Sequence, residues 1–488
     1  MFMIVIYIIS NQNSKQPNML HTKPDHIMRS MSQHELNRFD RFITGVESDR
    51  RITDTWTYIR TFYKERIPEA LDKDNIWRIA YGKIKFIPLK YARLLSDLTR
   101  VLERFLLMEY ISAQETDRNI ALLDIYNSRG LTSCITPVLK SADDSLSKNI
   151  YRDGDFYLSR FLIDEQQHVY IENLDRRDSE KHLSQAIRSL DTYYVIQKLK
   201  YYAAALHYQK FLNIPSEIHF ADEVMAFAAS SLFDAVPLVR IYICIIHTLQ
   251  EKDGDKAFDQ LRTLLSKHID LFPKEEAEQL YAFAVNYCIR QINKGEPEYL
   301  QKIFTLYKQM LQDGLLTYRG SISPWEFKNI VTVALRAKEL KWAASFIEQQ
   351  SPFIPERDRE NAYTFNMARY AFAAKKYDRV LELLGTVDYD DVFYQLDAKT
   401  TLMKTYYELG EYQPLQSLKE SFRILLSRKK LISDTQRAVY GNFVRYTLKL
   451  FRADVKDRKK IAALRKEIEG TKQMADKGWV MEKLDEMG

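Results

Sequence analysis

From Ser32 onward the apolar residues return every three or four positions almost without a break, and no stretch holds the two-residue alternation of a half-buried strand. A chain so patterned folds into helices. In Leu183, Ile187, Leu190 and Tyr194 the steps are four, three and four, which sets these side chains on one helical face and predicts that the face is buried against a neighbour. The run Leu238 to Leu249 is rich in β-branched residues, yet it lies between Ala-rich and Gln/Glu/Lys-rich stretches and is read as a buried helix. With 14 glycines and 13 prolines in 488 residues, turn residues are too scarce for a sandwich, a barrel or a glycine-looped α/β fold.

Local chemistry marks helix ends. Ser323-Pro324-Trp325-Glu326 predicts a capping box, the serine accepting from an early N–H, the glutamate reaching back and proline filling the first turn. Gly410, closing Tyr406-Tyr407-Glu408-Leu409, predicts a left-handed C-cap between two helices. The aromatics Trp342, Tyr377 and Tyr412 each follow such a turn, 35 and 35 residues apart. Each is preceded by an apolar helix, Ile330 to Leu335, Phe365 to Phe372 and Leu402 to Leu409. A helix, a turn and a helix of this length cannot bury an apolar stripe alone, so stacked copies, an α-solenoid, are expected.

Met367-Ala368, Tyr370, Phe372, Tyr377-Asp378 and Val380-Leu381 resemble the tetratricopeptide repeat. The likeness runs over roughly Trp325 to Leu425, with Leu415 and Lys419 departing from the pattern. It implies an all-α fold, an α-α superhelix (a TPR-like solenoid) behind a helical N-terminal domain. The first helix of each unit would line a concave face, where Arg369, Phe372, Lys404 and Tyr407 become the partner contacts, the two cations suiting a carboxylate-bearing peptide. Over most of the chain, Ser32 to Phe39, Leu94 to Leu98, Glu360 to Tyr363, Ser427 to Lys430 and Ala475 to Trp479 resemble a family of uncharacterised helical proteins from Bacteroidetes-type bacteria. That likeness brings no catalytic residue with it. The expected parts are a tail over 1–30, a helical domain over 31–125, a middle helical array over 126–320, repeats over 321–425 and basic capping helices over 426–488.

No phosphate-cradling glycine loop, nucleophile elbow or H-E-x-x-H occurs. Cys134, Cys244 and Cys288 form no C-x-x-C and are read as buried thiols of a reducing compartment. The nine histidines show no ligand spacing, and Asp388, Asp390, Asp391 and Asp397 are read as loop residues and helix caps rather than a cation site. No catalytic residue, metal or cofactor is expected. The apolar run Phe2 to Ile9 is too short to span a bilayer and has no basic lead-in, so the reading is a cytoplasmic protein without a membrane span.

Charge is uneven. Between Lys419 and Lys477 stand 17 Lys/Arg against 7 Asp/Glu. Arg428-Lys429-Lys430 and Arg458-Lys459-Lys460 flank an amphipathic seam of Ile461, Leu464 and Ile468, and are read first as the solvated face of capping helices, then as sites for an acidic protein or nucleic acid. A second basic stretch, Arg78, Lys83, Lys85, Lys90, Arg93, Arg100 and Arg104, brackets a conceivable helix-turn-helix beside a core face of Leu94, Leu95, Leu98, Val101, Leu102 and Phe105. The reading is a non-catalytic scaffold holding a protein or peptide in a helical-repeat groove. The alternative is a nucleic-acid-associated regulator using 78–104 or 419–477.

Overall fold

Helices and short connections account for the residues that the computed structural model describes, 22–174, 179–212, 214–385, 392–427 and 432–487, and no strand occurs among them. The first helices are α1 (Lys23–Ser30), α2 (Gln33–Val46), α3 (Arg50–Lys64), α4 (Lys73–Tyr81), α5 (Pro88–Ala113), α6 (Glu115–Ser128), α7 (Thr132–Lys148), α8 (Gly154–Asn173) and α9 (Ser179–Leu212). The chain divides into two compact units between Gln197 and Lys198, inside α9. This point falls within the stretch read as one middle array.

In the N-terminal unit, α2 starts with a full capping box: Ser32 Oγ accepts from the Glu35 N–H, and Glu35 takes the Ser32 N–H at 2.7 Å. Helical order begins earlier than the periodic pattern, at Lys23, which corrects the tail drawn to residue 30; residues 1–21 lie outside the described ones. The reason is chemical. Asp25, 1% exposed, receives the Tyr63 hydroxyl at 2.7 Å and Arg29 Nε at 2.8 Å, so α1 is anchored by a polar side chain that hydropathy scores as solvent-facing. Met28 joins Phe39, Trp56 and Phe105 in the core. Leu94, Leu95, Leu98, Val101, Leu102 and Phe105 are buried as the core face of α5.

The predicted face of α9 is corrected outright. Leu183, Ile187, Leu190 and Tyr194 are 43%, 51%, 44% and 45% exposed. The buried side instead carries Ala186, Ser189, Ile196 and Leu199. Ser189 Oγ donates to the Asp164 carboxylate, which also takes Arg160 at 2.6 Å. Both faces have helical period, and small and hydroxyl side chains won the closer packing.

The C-terminal unit continues with α10 (Ala221–Ala228), α11 (Pro237–Gln250), α12 (Gly254–His268), α13 (Lys274–Lys294), α14 (Tyr299–Gln312), α15 (Pro324–Arg336) and α16 (Leu340–Gln350). Then come α17 (Glu356–Ala373), α18 (Tyr377–Gly385), α19 (Val392–Leu409), α20 (Tyr412–Leu426), α21 (Asp434–Phe451), α22 (Arg458–Gly470) and α23 (Lys477–Asp485). The β-branched run is the buried helix α11. From α11 to α21 successive helices pack on one another, and α11 on α13, α15 on α17, α17 on α19 and α19 on α21 add a layer made of the first helix of each hairpin.

One turn repeats. Lys338, Lys375 and Gly410 have φ of 61°, 57° and 72°, each two residues before the next helix. The following N–H groups, of Glu339, Lys376 and Glu411, donate to the carbonyls of Ala334, Ala371 and Tyr406 at 3.0, 2.8 and 2.9 Å. This is the Schellman closure, and it fixes where each hairpin reverses. In its frame the counterpart of Tyr377 and Tyr412 is Leu340, so aligning the first hairpin on Trp342 was two residues out of step.

The box predicted at Ser323 is half present. Ser323 Oγ accepts from the Glu326 N–H at 3.1 Å, whereas burial, with the Glu278 carboxylate adding to it, pushes the Glu326 carboxyl up to about 7. An acid raised above its unfolded value of about 4.3 binds a proton on folding, so stability falls as pH rises from there to about 7. Glu326→Gln is expected to gain about 1–2 kcal/mol over wild type at pH 8 and almost nothing near pH 4.5, solvent reaching the partly exposed group and weakening the effect. Urea melts at the two pH values check this; equal stability at pH 8 contradicts it.

Two further readings are corrected. Cys134 is exposed, while Cys244 and Cys288 are buried, burial pushing the Cys244 thiol up to about 11 and that of Cys288 higher still. Asp397 is neither cap nor loop residue: within α19 it pairs with Lys328 of α15 at 2.5 Å and receives the Tyr440 hydroxyl of α21 at 2.8 Å. The Lys328 ammonium, in a residue only 9% exposed, also lies 4.4 Å from the Trp325 ring and 5.2 Å from that of Tyr394. Asp388, Asp390 and Asp391 lie outside the described residues.

Candidate partner-binding surface

Two neighbouring first helices, α17 and α19, carry the four predicted contacts, and the structure does bring them together. Lys404 Nζ stands 4.6 Å from the Phe372 ring centroid, Arg369 donates to Thr332 Oγ1 and lies 5.7 Å from the Phe365 ring, and Tyr407 packs edge-on against Phe451. All four are partly buried.

Lys404 and Tyr407 are met by the chain's own helix α23. Asp476, at the start of α23 with φ of 44°, pairs with Lys404 at 2.5 Å. Lys404, backed by Arg369 and Arg336, holds the Asp476 carboxyl below the usual carboxylate value against the cost of its partial desolvation, its side chain being 46% exposed. Trp479 sets its ring edge-on to Tyr407 at 5.2 Å and donates Nε1–H to Glu408 at 3.1 Å. Lys483 reaches the same glutamate at 2.9 Å. The carboxylate and the helix on this face belong to the chain's own α23. Sequence reasoning missed Asp476, Trp479 and Lys483; an aspartate and a tryptophan in Ala475 to Trp479 were the available signal.

A second surface remains open. Between α20 and α21 runs a cleft of about 810 Å³. Its floor is Phe422 and Leu426 of α20 with Val444 and Leu448 of α21, pairs four residues apart on each helix. Along its edges stand Lys419 and Arg423 on one side and Arg437, Arg445, Lys449 and Arg452 on the other. These six cations share three carboxylates: Glu420 with Lys419 and Arg423, Asp434 with Arg437, and Glu467 with Arg445 and Lys449. Arg452 meets only the Tyr412 hydroxyl, at 2.7 Å, among the described residues. The predicted seam Ile461, Leu464 and Ile468 is buried, with Arg458, Lys459 and Lys460 exposed beside it, and Arg428, Lys429 and Lys430 lie outside the described residues.

In the N-terminal unit the seven cations from Arg78 to Arg104 are all exposed, but residues 82–87 separate α4 from the 26-residue α5, a longer break than a compact helix-turn-helix uses. Among the described residues no group of three or more His, Cys, Asp or Glu could hold a metal ion, and no helix is long and apolar enough to cross a membrane. No protein-family model matches the chain, and neither a curated protein nor a solved structure is significantly similar to it. The class defined is an all-α protein of sequentially stacked helices.

Proposed function

We propose that this protein is a non-catalytic cytoplasmic scaffold of tetratricopeptide-like kind, binding a protein or peptide partner along its helical array. The observation that carries this is the repeated hairpin: three turns of one geometry hold α15, α17 and α19 in a layer backed by α16, α18 and α20. Such a stack presents extended surface of one chemistry over several units, which suits recognition of a chain rather than of a small molecule. The division into parts at about 125, 320 and 425 belongs to the same proposal.

Lys404 and Tyr407 serve as contacts beside Arg369 and Phe372 in this reading only where α23 gives way, whereas the cleft between α20 and α21 is open as it stands. The test is purification of the tagged chain from the cells it comes from, at physiological salt. A protein partner in near-stoichiometric yield is the expected result. Recovery of nucleic acid in place of protein overturns the scaffold reading and favours the second one, for which the exposed cations over 78–104 speak.

A further inference from the structure

We propose that the cleft between α20 and α21 docks an acidic amphipathic helix of a partner protein. The inference rests on the scaffold reading and adds to it the place and the chemistry of the partner. Three observations meet there.

The first is charge. Six cations over three carboxylates leave the two edges positive after every internal ion pair is made. Arg423 is 72% exposed at its side chain and Arg445 54%, so both can turn a guanidinium fork toward an incoming carboxylate. The second is the floor. Phe422, Val444 and Leu448, 1%, 8% and 8% exposed, close the bottom of the cleft, and partly exposed Leu426 adds the apolar surface between the charged edges that apolar side chains spaced three and four apart on a helix would cover. Phosphates of a nucleic acid would satisfy the edges and leave this floor in water. A bilayer surface would not reach a floor recessed behind long cationic side chains.

The third is Gly441. It lies inside α21, where glycine is among the poorest helix formers, and it lines the cleft. A Cβ built there meets no atom within 4 Å. The chain's own packing therefore does not require glycine at this point, and the open space leaves room for a second backbone to approach.

The probe is a pool of labelled peptides of about 14 residues, with Leu, Ile, Phe or Met at positions i, i+3, i+4 and i+7 and Glu on the other faces. Anisotropy is read against the full-length chain. Binding is expected to weaken about tenfold or more for peptides of scrambled order, for Gly441→Phe, and for Arg423→Glu combined with Arg452→Glu. Raising salt from about 0.1 to about 0.5 M should weaken it several-fold. Far-UV circular dichroism checks that Gly441→Phe is folded, as the open space beside Gly441 leads one to expect.

Absence of binding across the pool, equal binding of the scrambled peptides, or indifference to Gly441→Phe overturns the proposal. So does tighter, Gly441→Phe-sensitive binding of oligo-thymidylate or of anionic vesicles. A cellular partner that co-purifies equally with wild type and Gly441→Phe leaves the scaffold reading standing and overturns this one. A chain that recovers no protein partner fails the scaffold reading itself.

Discussion

Asp397→Asn is expected to destabilise the C-terminal unit by about 3 kcal/mol, the largest loss for any single polar substitution considered. Lys328 is 9% exposed, and among the described residues its ammonium has one anionic partner, the Asp397 carboxylate at 2.5 Å. A carboxamide keeps the shape but leaves the cation buried against the rings of Trp325 and Tyr394, which offset only part of the loss. Tyr440 also exchanges a charged acceptor for a neutral one, and its hydroxyl pKa, now raised by burial and by Asp397, should come down. The effect reaches beyond one hairpin, because Lys328, Asp397 and Tyr440 stand on α15, α19 and α21. Lys328→Met is expected to cost less, about 1–2 kcal/mol, since the Asp397 side chain is 28% exposed and can be solvated once alone. Urea titration followed by circular dichroism checks both; a loss under about 1 kcal/mol for Asp397→Asn contradicts the assignment.

Trp479→Ala should cost about 2 kcal/mol, below the value for a fully buried tryptophan because the ring is only partly covered. It removes the edge contact to Tyr407, the packing on Phe443 and the hydrogen bond to Glu408 together. Among the described residues the ties that remain to the face are the ion pairs of Asp476 with Lys404 and Lys483 with Glu408, and Val480 and Leu484 stay buried in the core shared with α21 and α22. Hydrogen exchange should therefore report loss of protection over Lys477–Asp485 at low denaturant, with α11 to α14 unchanged. Unaltered protection of α23 would show that the tryptophan does not hold it. The substitution also bears on function, for it loosens the cover on Lys404 and Tyr407 without altering them.

Helix content and hairpin spacing were legible because they follow from period and from turn chemistry, both local properties. Gly410 shows how far this goes: its left-handed φ of 72° was expected from the sequence alone. The equivalent lysines, Lys338 and Lys375, adopt the same conformation without the residue type that would announce it. The two-residue misalignment at Trp342 followed from that silence. Where two helical faces compete, as on α9, period cannot choose between Leu183, Ile187, Leu190 and Tyr194 and the side bearing Ala186 and Ser189. Long-range pairs are silent as well. Asp25 with Tyr63 and Lys328 with Asp397 join residues whose chemistry reads as solvent-facing until the fold brings them together.

The same reasoning divides the candidate site. The clustering of Arg369, Phe372, Lys404 and Tyr407 was legible from their positions on successive first helices. The cover on Lys404 and Tyr407 was not, because it comes from a helix about seventy residues later in the chain. In the basic segment the sequence showed charge, and the pairing of Phe422 and Leu426 with Val444 and Leu448 across two helices needed the fold. Gly441 carries no signal in the sequence, since the open space beside it is a property of the fold.

A photo-activated cross-linker placed at Arg445, inside living cells of the source, tests the central claim most directly. Position 445 is predicted to capture a protein through a segment bearing an acidic and an apolar face, with capture lost in Gly441→Phe and absent from a control position at Leu89, which is 80% exposed in the other unit. Adducts to nucleic acid alone, or no adduct beyond that of Leu89, would contradict the account.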